Sequence, residues 1–295
     1  MSAPKDGKTD REIDDVSGVE TTGHEWDGIK ELNNPLPRWW LWTFYGSIVW
    51  ALVYTVLFPA WPLITEATGG VLGYSSRAEY QKEADLADAS QAVYRDKIAA
   101  TPLGEIVSDP ELARFAQAGG RAAFKVNCSQ CHGSGAEGAA GYPNLNDDEW
   151  IWGGTIDEIY ATIAHGVRST TDADTRLNTM PNFGTDEILT AEQITSVSAY
   201  VASLSGVEGG AASDEGVQLF AENCAACHGE TGAGLAEMGG PSLTDAIWLY
   251  DGSLAGIEAQ IKRPRHGMMP AWAEKLPDAT IRQLAVYVHS LGGGR

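Results

Sequence analysis

Cys128-Ser129-Gln130-Cys131-His132 and Cys224-Ala225-Ala226-Cys227-His228 are one motif written twice, C-x-x-C-H, at an offset of 96 residues. It is the attachment signal for a c-type haem. Two thiols one helical turn apart add to the two vinyl groups of a porphyrin. The adjacent histidine then falls beneath the iron as its proximal ligand. A redox dithiol or half a zinc site also contains paired cysteines. A thioredoxin-like dithiol has no need of the histidine, however, and a zinc ribbon draws four ligands together. The motif therefore predicts two covalently bound haem c. Cys128 and Cys131 hold one with His132 on its iron, and Cys224 and Cys227 hold the other with His228 on its iron.

The repeat extends beyond the motif. Gly120, Phe124 and Asn127 recur as Gly216, Phe220 and Asn223 at the same offset. Downstream, Tyr142-Pro143-Asn144-Leu145 corresponds to Gly240-Pro241-Ser242-Leu243. Two helical stretches share a stamp, Ala199-Tyr200-Val201-Ala202-Ser203-Leu204 and Val286-Tyr287-Val288-His289-Ser290-Leu291. A small haem domain needs an N-terminal and a C-terminal helix that cross behind the porphyrin. Glycine lets them approach and aromatic rings fill the gap. Gly206 to Ala212 is Gly- and Ala-rich and reads as a linker. The expected fold is all-α, with one cytochrome c domain over residues 113–206 and a second over 207–295.

A haem used for electron transfer has both axial positions filled, and a thioether opposite histidine raises its potential. Met180 in Thr179-Met180-Pro181-Asn182-Phe183 and Met269 in Met268-Met269-Pro270-Ala271-Trp272 each head a Met-Pro-x-aromatic turn. Met268 is out of register with that pattern, and Met238, in a Gly-rich loop, reads as packing. Spacing alone pairs each methionine with its own domain. His165 and His266, each followed by glycine, are rival ligands and otherwise hydrogen-bonding residues near a haem edge or propionate. His289 reads as a surface or packing residue. Arg168, Arg263 and Arg265 are candidates for propionate pairing or simply for solvent.

Residues 39–65 hold 27 consecutive uncharged positions, bracketed by Arg38 and Glu66. Trp39, Trp40, Trp42 and Tyr45 crowd one end and Trp61 marks the other, as an aromatic belt does. This predicts a transmembrane helix over 39–64, ending or kinking near Pro59 and Pro62. Lysine and arginine counts do not orient it: Lys30 and Arg38 precede it, Arg77 and Lys82 follow it. Thioether attachment of haem takes place outside the cytoplasm, which orients the haem domains toward the periplasm and the tail, residues 1–38, toward the cytoplasm. The chain is then single-pass in a bacterial inner membrane. The tail carries nine acids and five bases and reads at first as disordered, with a less random part from His24 to Pro37 laid on a surface or partner. His24 reads as a solvated tail histidine. Residues 65–112 form a connector, helical from Ser76 to Ala99. The formal charge of -20 makes nucleic acid an unsuitable partner and a cationic protein a suitable one, although an acidic surface also serves solubility.

The stretch His24-x-Trp26-Asp27-Gly28-Ile29-x-Glu31-Leu32-Asn33-Asn34-Pro35-Leu36-Pro37-x-Trp39-Trp40, with the two C-x-x-C-H motifs behind it, resembles the membrane-anchored dihaem subunit of cbb3-type cytochrome c oxidases, the CcoP/FixP family. The resemblance implies an electron-transfer subunit with no catalytic site of its own. It accepts electrons from a donor cytochrome c and passes them to a monohaem cytochrome c subunit and on to the haem-copper catalytic subunit, which reduces oxygen and pumps protons. It also implies that the methionines are exchanged. Met269 then completes the haem on Cys128, Cys131 and His132, and Met180 the haem on Cys224, Cys227 and His228. Two other readings remain at this point. One is a stand-alone membrane-tethered dihaem cytochrome shuttling electrons between complexes, for which a specific tail motif has no use. The other is a dihaem peroxidase, which needs an open iron that two Met-Pro turns argue against.

Overall fold

A computed structural model describes residues 12–292; the first part of the expected tail and the last three residues lie outside the described residues. The chain divides into two compact units, residues 1–87 and 88–295.

In the first unit, the tail contains a β-hairpin where disorder was the first expectation. β1 (Thr21–Trp26) pairs antiparallel with β2 (Ile29–Leu32), with Trp26 opposite Ile29 and Glu25 opposite Lys30. Asp27 and Gly28 make the two-residue turn with φ of 50° and 86°. Positive φ at both positions is the I′ geometry, whose twist matches that of the strands it joins. An ion pair between Lys30 and Glu12 extends the contact toward the N-terminus.

α1 (Arg38–Leu57) follows, and it is the one described helix long and apolar enough to cross a membrane. None of its residues is buried by the protein. Its 20 residues, at 1.5 Å each, span about 30 Å, the thickness of a hydrocarbon core. The helix stops at Leu57, seven residues short of the expected end at 64, because Pro59 has no N–H to continue the ladder. The chain then turns back. Val71 and Leu72 donate to the carbonyls of Val56 and Leu57, at 2.9 and 3.1 Å, and satisfy two of the helix's last acceptors.

α2 (Ser76–Ala100) is the expected connector helix. Within the second unit its C-terminal part and α3 (Leu103–Ser108) bury Ile98, Leu103 and Ile106 against Leu112, Ala116 and Val286. Tyr94 stacks on Phe115 at 4.8 Å and donates to Glu111 at 2.6 Å.

α4 (Pro110–Asn127) is capped by Asp109, whose carboxylate accepts from the N–H groups of Glu111 and Leu112. α5 (Ser129–His132) is the first C-x-x-C-H turn, and α6 (Ile156–His165) starts on a Thr155/Glu158 capping box. α7 (Ala191–Leu204) starts on a second capping box, Thr190/Gln193. α8 (Asp214–Asn223), α9 (Ala225–His228), α10 (Leu254–Lys262) and α11 (Asp278–His289) complete the set.

The last helix returns to the first haem motif. α11, the last helix, crosses α4 and also packs on α6, forming a core of Phe124, Ile159, Ile163, Ile281, Leu284 and Val288. α7 crosses α8 and packs on α10 around Val197, Val201, Leu219, Phe220, Ile257 and Ile261. The crossings are equivalent. Phe124 meets Tyr287 edge-on at 5.5 Å, and Phe220 meets Tyr200 edge-on at 5.3 Å. The boundary expected between 206 and 207 therefore divides the chain but not the cores. Two near-identical helix stamps fit either crossing, and nothing in local patterning chooses between them.

Candidate haem sites

Each C-x-x-C-H motif is a single helical turn set at the end of a longer helix. Cys128 donates its N–H to Phe124, and Cys131 and His132 donate back to the Cys128 carbonyl at 3.1 and 3.0 Å. Cys224, Cys227 and His228 repeat these contacts at 2.8, 3.1 and 3.0 Å. A glycine in the left-handed region, Gly133 or Gly229, ends each turn immediately after the histidine.

The histidines are held as ligands need to be held. Nδ1 of His132 lies 3.0 Å from the Pro143 carbonyl, and Nδ1 of His228 lies 2.9 Å from the Pro241 carbonyl. A carbonyl only accepts, so Nδ1 carries the proton and Nε2 keeps a lone pair. Burial lowers both imidazole pKa values against the opposing pull of those carbonyls, which favours the neutral, metal-binding form.

The first cysteine of each motif sits in a setting unlike that of a reactive thiol. Burial, with a smaller contribution from the neighbouring cysteine, pushes Cys128 and Cys224 each up to about 11. A redox or zinc-binding cysteine has its pKa lowered instead. Among the described residues, the one convergent group of three metal-type donors is His165, Asp172 and Asp174, and neither motif contributes to it.

The two methionines lie in the cores set by the exchanged helices. Met269 packs in the cluster that holds Cys128 and Phe124, and Met180 in the cluster that holds Cys224 and Phe220. The exchanged connections are fixed by backbone. Met269 and Val167 exchange N–H···O bonds at 2.9 and 3.0 Å. Trp272 and Ala273, just after the Met269-Pro270 turn, donate to the Ala164 carbonyl at the end of α6. On the other side, Gly184 and Thr185, just after the Met180-Pro181 turn, donate to the Lys262 carbonyl at the end of α10. Gly166 permits this on the first side. Its φ is 71°, and a Cβ there would stand 2.4 Å from the Met269 carbonyl oxygen. Met268 is 63% exposed and Met238 is 37% exposed, and neither packs in a core.

The residues present fit a haem in a further respect. Nε1 of Trp150, packed in the first cluster beside Cys128 and Met269, is buried without a hydrogen-bond partner. A buried indole N–H is costly to leave unpaired, and a porphyrin carboxylate is an acceptor of the right kind. Sequence reading passed over Trp150. It also passed over the roles of Pro143 and Pro241, although their recurrence in the repeat was a visible signal.

The remaining sequence candidates fall elsewhere. His165 is paired with Asp172, Nδ1 to Oδ2 at 3.1 Å. His266 has its pKa lowered by burial and by Arg168, with the Met180 backbone carbonyl pulling the other way. Arg265 lies over the Tyr250 ring at 4.2 Å, Arg263 is exposed at the end of α10, and His289 ends α11 half-buried. His24 is in the hairpin, 3.6 Å from Glu31.

One carboxylate at the seam between the two cores carries a pH dependence. Burial and then the facing Asp245 raise Glu149 to about 7, with Asp148 and Asp147 adding to the effect. Its folded pKa stands above the ordinary 4.5, so the folded state binds the extra proton. Stability is therefore lost as pH rises from the ordinary carboxyl range through about 7. Glu149→Gln should flatten the decline in melting temperature between about pH 5 and about pH 8. Thermal melts of the two proteins that run parallel across that range would refute the assignment.

Comparison with known proteins identifies the family. Residues 18–65 match the family described as the N-terminal domain of cytochrome oxidase-cbb3, FixP. Residues 117–205 match cytochrome c, and residues 211–288 match cytochrome C oxidase, cbb3-type, subunit III. A cbb3-type cytochrome c oxidase subunit FixP of Sinorhizobium medicae is 55% identical over 285 residues, covering 96% of this chain and 98% of the relative. Subunit CcoP of Cereibacter sphaeroides is 52% identical over 275 residues, covering 93% and 95%. Subunit FixP of Bradyrhizobium diazoefficiens is 51% identical over 289 residues, covering 96% and 98%. With cytochrome c domains that imply covalent haem c, and an N-terminal apolar helix as anchor, the chain belongs to the FixP/CcoP family of cbb3-type cytochrome c oxidase subunits.

Proposed function

We propose that this chain relays electrons, one at a time, through two c-type haems from a donor cytochrome c toward the monohaem and haem-copper subunits of a cbb3-type oxidase. The observation that carries the reading is the matched pair of cores, each with a C-x-x-C-H turn, a carbonyl-anchored histidine and a Met-Pro turn. When bound, each haem supplies a ferric/ferrous couple.

The protein's part is to hold and tune. Cys128 and Cys131, and Cys224 and Cys227, anchor the porphyrins covalently. His132 and His228 present Nε2 to the irons, with Pro143 and Pro241 fixing the rings. Met269 would give its sulfur to the haem of His132 and Met180 to the haem of His228, and thioether ligation would favour ferrous iron. His132 with Met269, and His228 with Met180, would hold the two haems for electron transfer alone, and reduction of oxygen would belong to a different subunit. The N-terminal hairpin is read as cytoplasmic and the haem domains as periplasmic, because thioether attachment takes place outside the cytoplasm. The acidic surface suits a cationic donor.

Purification in mild detergent, followed by haem staining and spectra, tests this. Co-purification of haem b and a second c-type subunit is the expected result. Isolation of this chain alone, still haem-loaded, would favour a free-standing shuttle.

A further inference from the structure

Arg168 stands where the two cores exchange their chains. Its backbone is in the left-handed region, φ 51°, which is uncommon for a residue with a Cβ and persists only where surrounding contacts hold it. The residue before it, Val167, is the backbone partner of Met269. The side chain is half-buried, and both its hydrogen bonds go to main-chain carbonyls. Nε donates to Gly267 at 2.7 Å and Nη1 donates to Asn178 at 2.8 Å. Gly267 lies two residues before Met269, and Asn178 lies two residues before Met180. One guanidinium thus grips both methionine-bearing turns at the same relative position.

We propose that Arg168 is a positioning residue that locks the two Met-Pro turns into one piece, so that the axial sulfur of each iron is held through a shared cation. The proposal rests on the methionine ligation put forward above. The chemistry asks for arginine. A planar fork reaches two acceptors that diverge, whereas an ammonium is a point donor on a flexible stem. Burial holds the cation at a cost, pushing its pKa down, and the two carbonyl contacts offset that cost. Asn178 carries the tie one step further, donating from its side chain to the Met238 carbonyl at 3.1 Å. That gives the Gly-rich loop of Met238 a place in the same assembly. The consequence is reciprocal. Loosening this single side chain should loosen sulfur at both irons, though the motifs that hold them are 96 residues apart.

The test uses the full-length, haem-loaded protein in mild detergent. The readouts are the methionine-to-ferric-iron charge-transfer band and the two midpoint potentials. Arg168→Lys and Arg168→Gln should keep covalent haem but lose at least about half of the band, with both potentials falling together. Arg95→Gln, which removes a cation paired with Asp88 on α2 and leaves both turns untouched, should change neither readout. Band and potentials unchanged in Arg168→Lys would overturn the proposal, and so would a fall confined to one haem. If Arg168→Gln does not accumulate with haem, Arg168→Lys decides. A wild-type protein without the band would overturn the methionine assignment itself, which is a separate failure.

Discussion

Met269→His is expected to lower one of the two midpoint potentials by on the order of a few tenths of a volt, a sizeable part of the roughly 0.8 V range that axial ligands span. Thioether sulfur is a weak donor that favours ferrous iron, and imidazole is a stronger donor that favours ferric iron. The covalent anchor is untouched, so the haem should remain on the chain through a denaturing gel. The turn that carries Met269 is fixed on both sides, by its pairing with Val167 and by the N–H groups of Trp272 and Ala273 on the end of α6. A histidine there starts from the same place as the sulfur it replaces. The other potential should hold, because Met180 lies in the other core. A titration curve identical to wild type would remove Met269 from the ligand set.

The second large effect is on stability. Gly120 on α4 faces α11 so closely that a Cβ would stand 2.1 Å from the Gln283 carbonyl oxygen and 2.6 Å from Cβ of Tyr287. Backbone is the obstacle, so a rotamer change gives no relief. Gly120→Ala must push the helices apart and part Phe124 from Tyr287, at a cost of about 3 kcal/mol or somewhat more. For a unit of this size that lowers the melting temperature by roughly 6–12 °C. Gly216 is the equivalent in the other crossing, with a Cβ 2.6 Å from the Ser196 carbonyl. Gly104→Ala is the control: it lies in α3 with no atom within 4 Å of a Cβ, and alanine there favours the helix by about 0.5–1 kcal/mol. Equal melting temperatures for Gly120→Ala and wild type would show that this crossing is not tightly packed.

Covalent chemistry and local periodicity made most of this legible from residues alone. The C-x-x-C-H turns, the apolar span and the Met-Pro turns are short-range patterns. Each carries its own geometry, and the two haem turns superimpose contact for contact. The tail hairpin had a signal too. Asp27-Gly28 between Trp26 and Ile29 is the strongest short turn signal a chain can carry, but the polar composition around it outweighed the turn. The end of α1 at Leu57 follows from Pro59, although the uncharged run continues to Thr65.

What local pattern could not supply is which helix crosses which. Tyr200 and Tyr287 sit in nearly the same sequence context, and each fits either Phe124 or Phe220. The decision is made by contacts distant in the chain, such as Gly166 against the Met269 carbonyl and Arg168 across both turns. Only the family resemblance implied that exchange. Trp150 escaped attention for a related reason, since an orphan N–H is visible only once its surroundings are folded.

The exchange of methionines between the two halves is tested most directly by redox titration in a single-haem background. With Cys224 and Cys227 replaced by serine, the remaining haem is the one on Cys128 and Cys131. Its potential should fall on Met269→His and stay where it is on Met180→His. A fall with Met180→His and none with Met269→His would mean that each half keeps its own methionine, and the exchanged arrangement would be wrong.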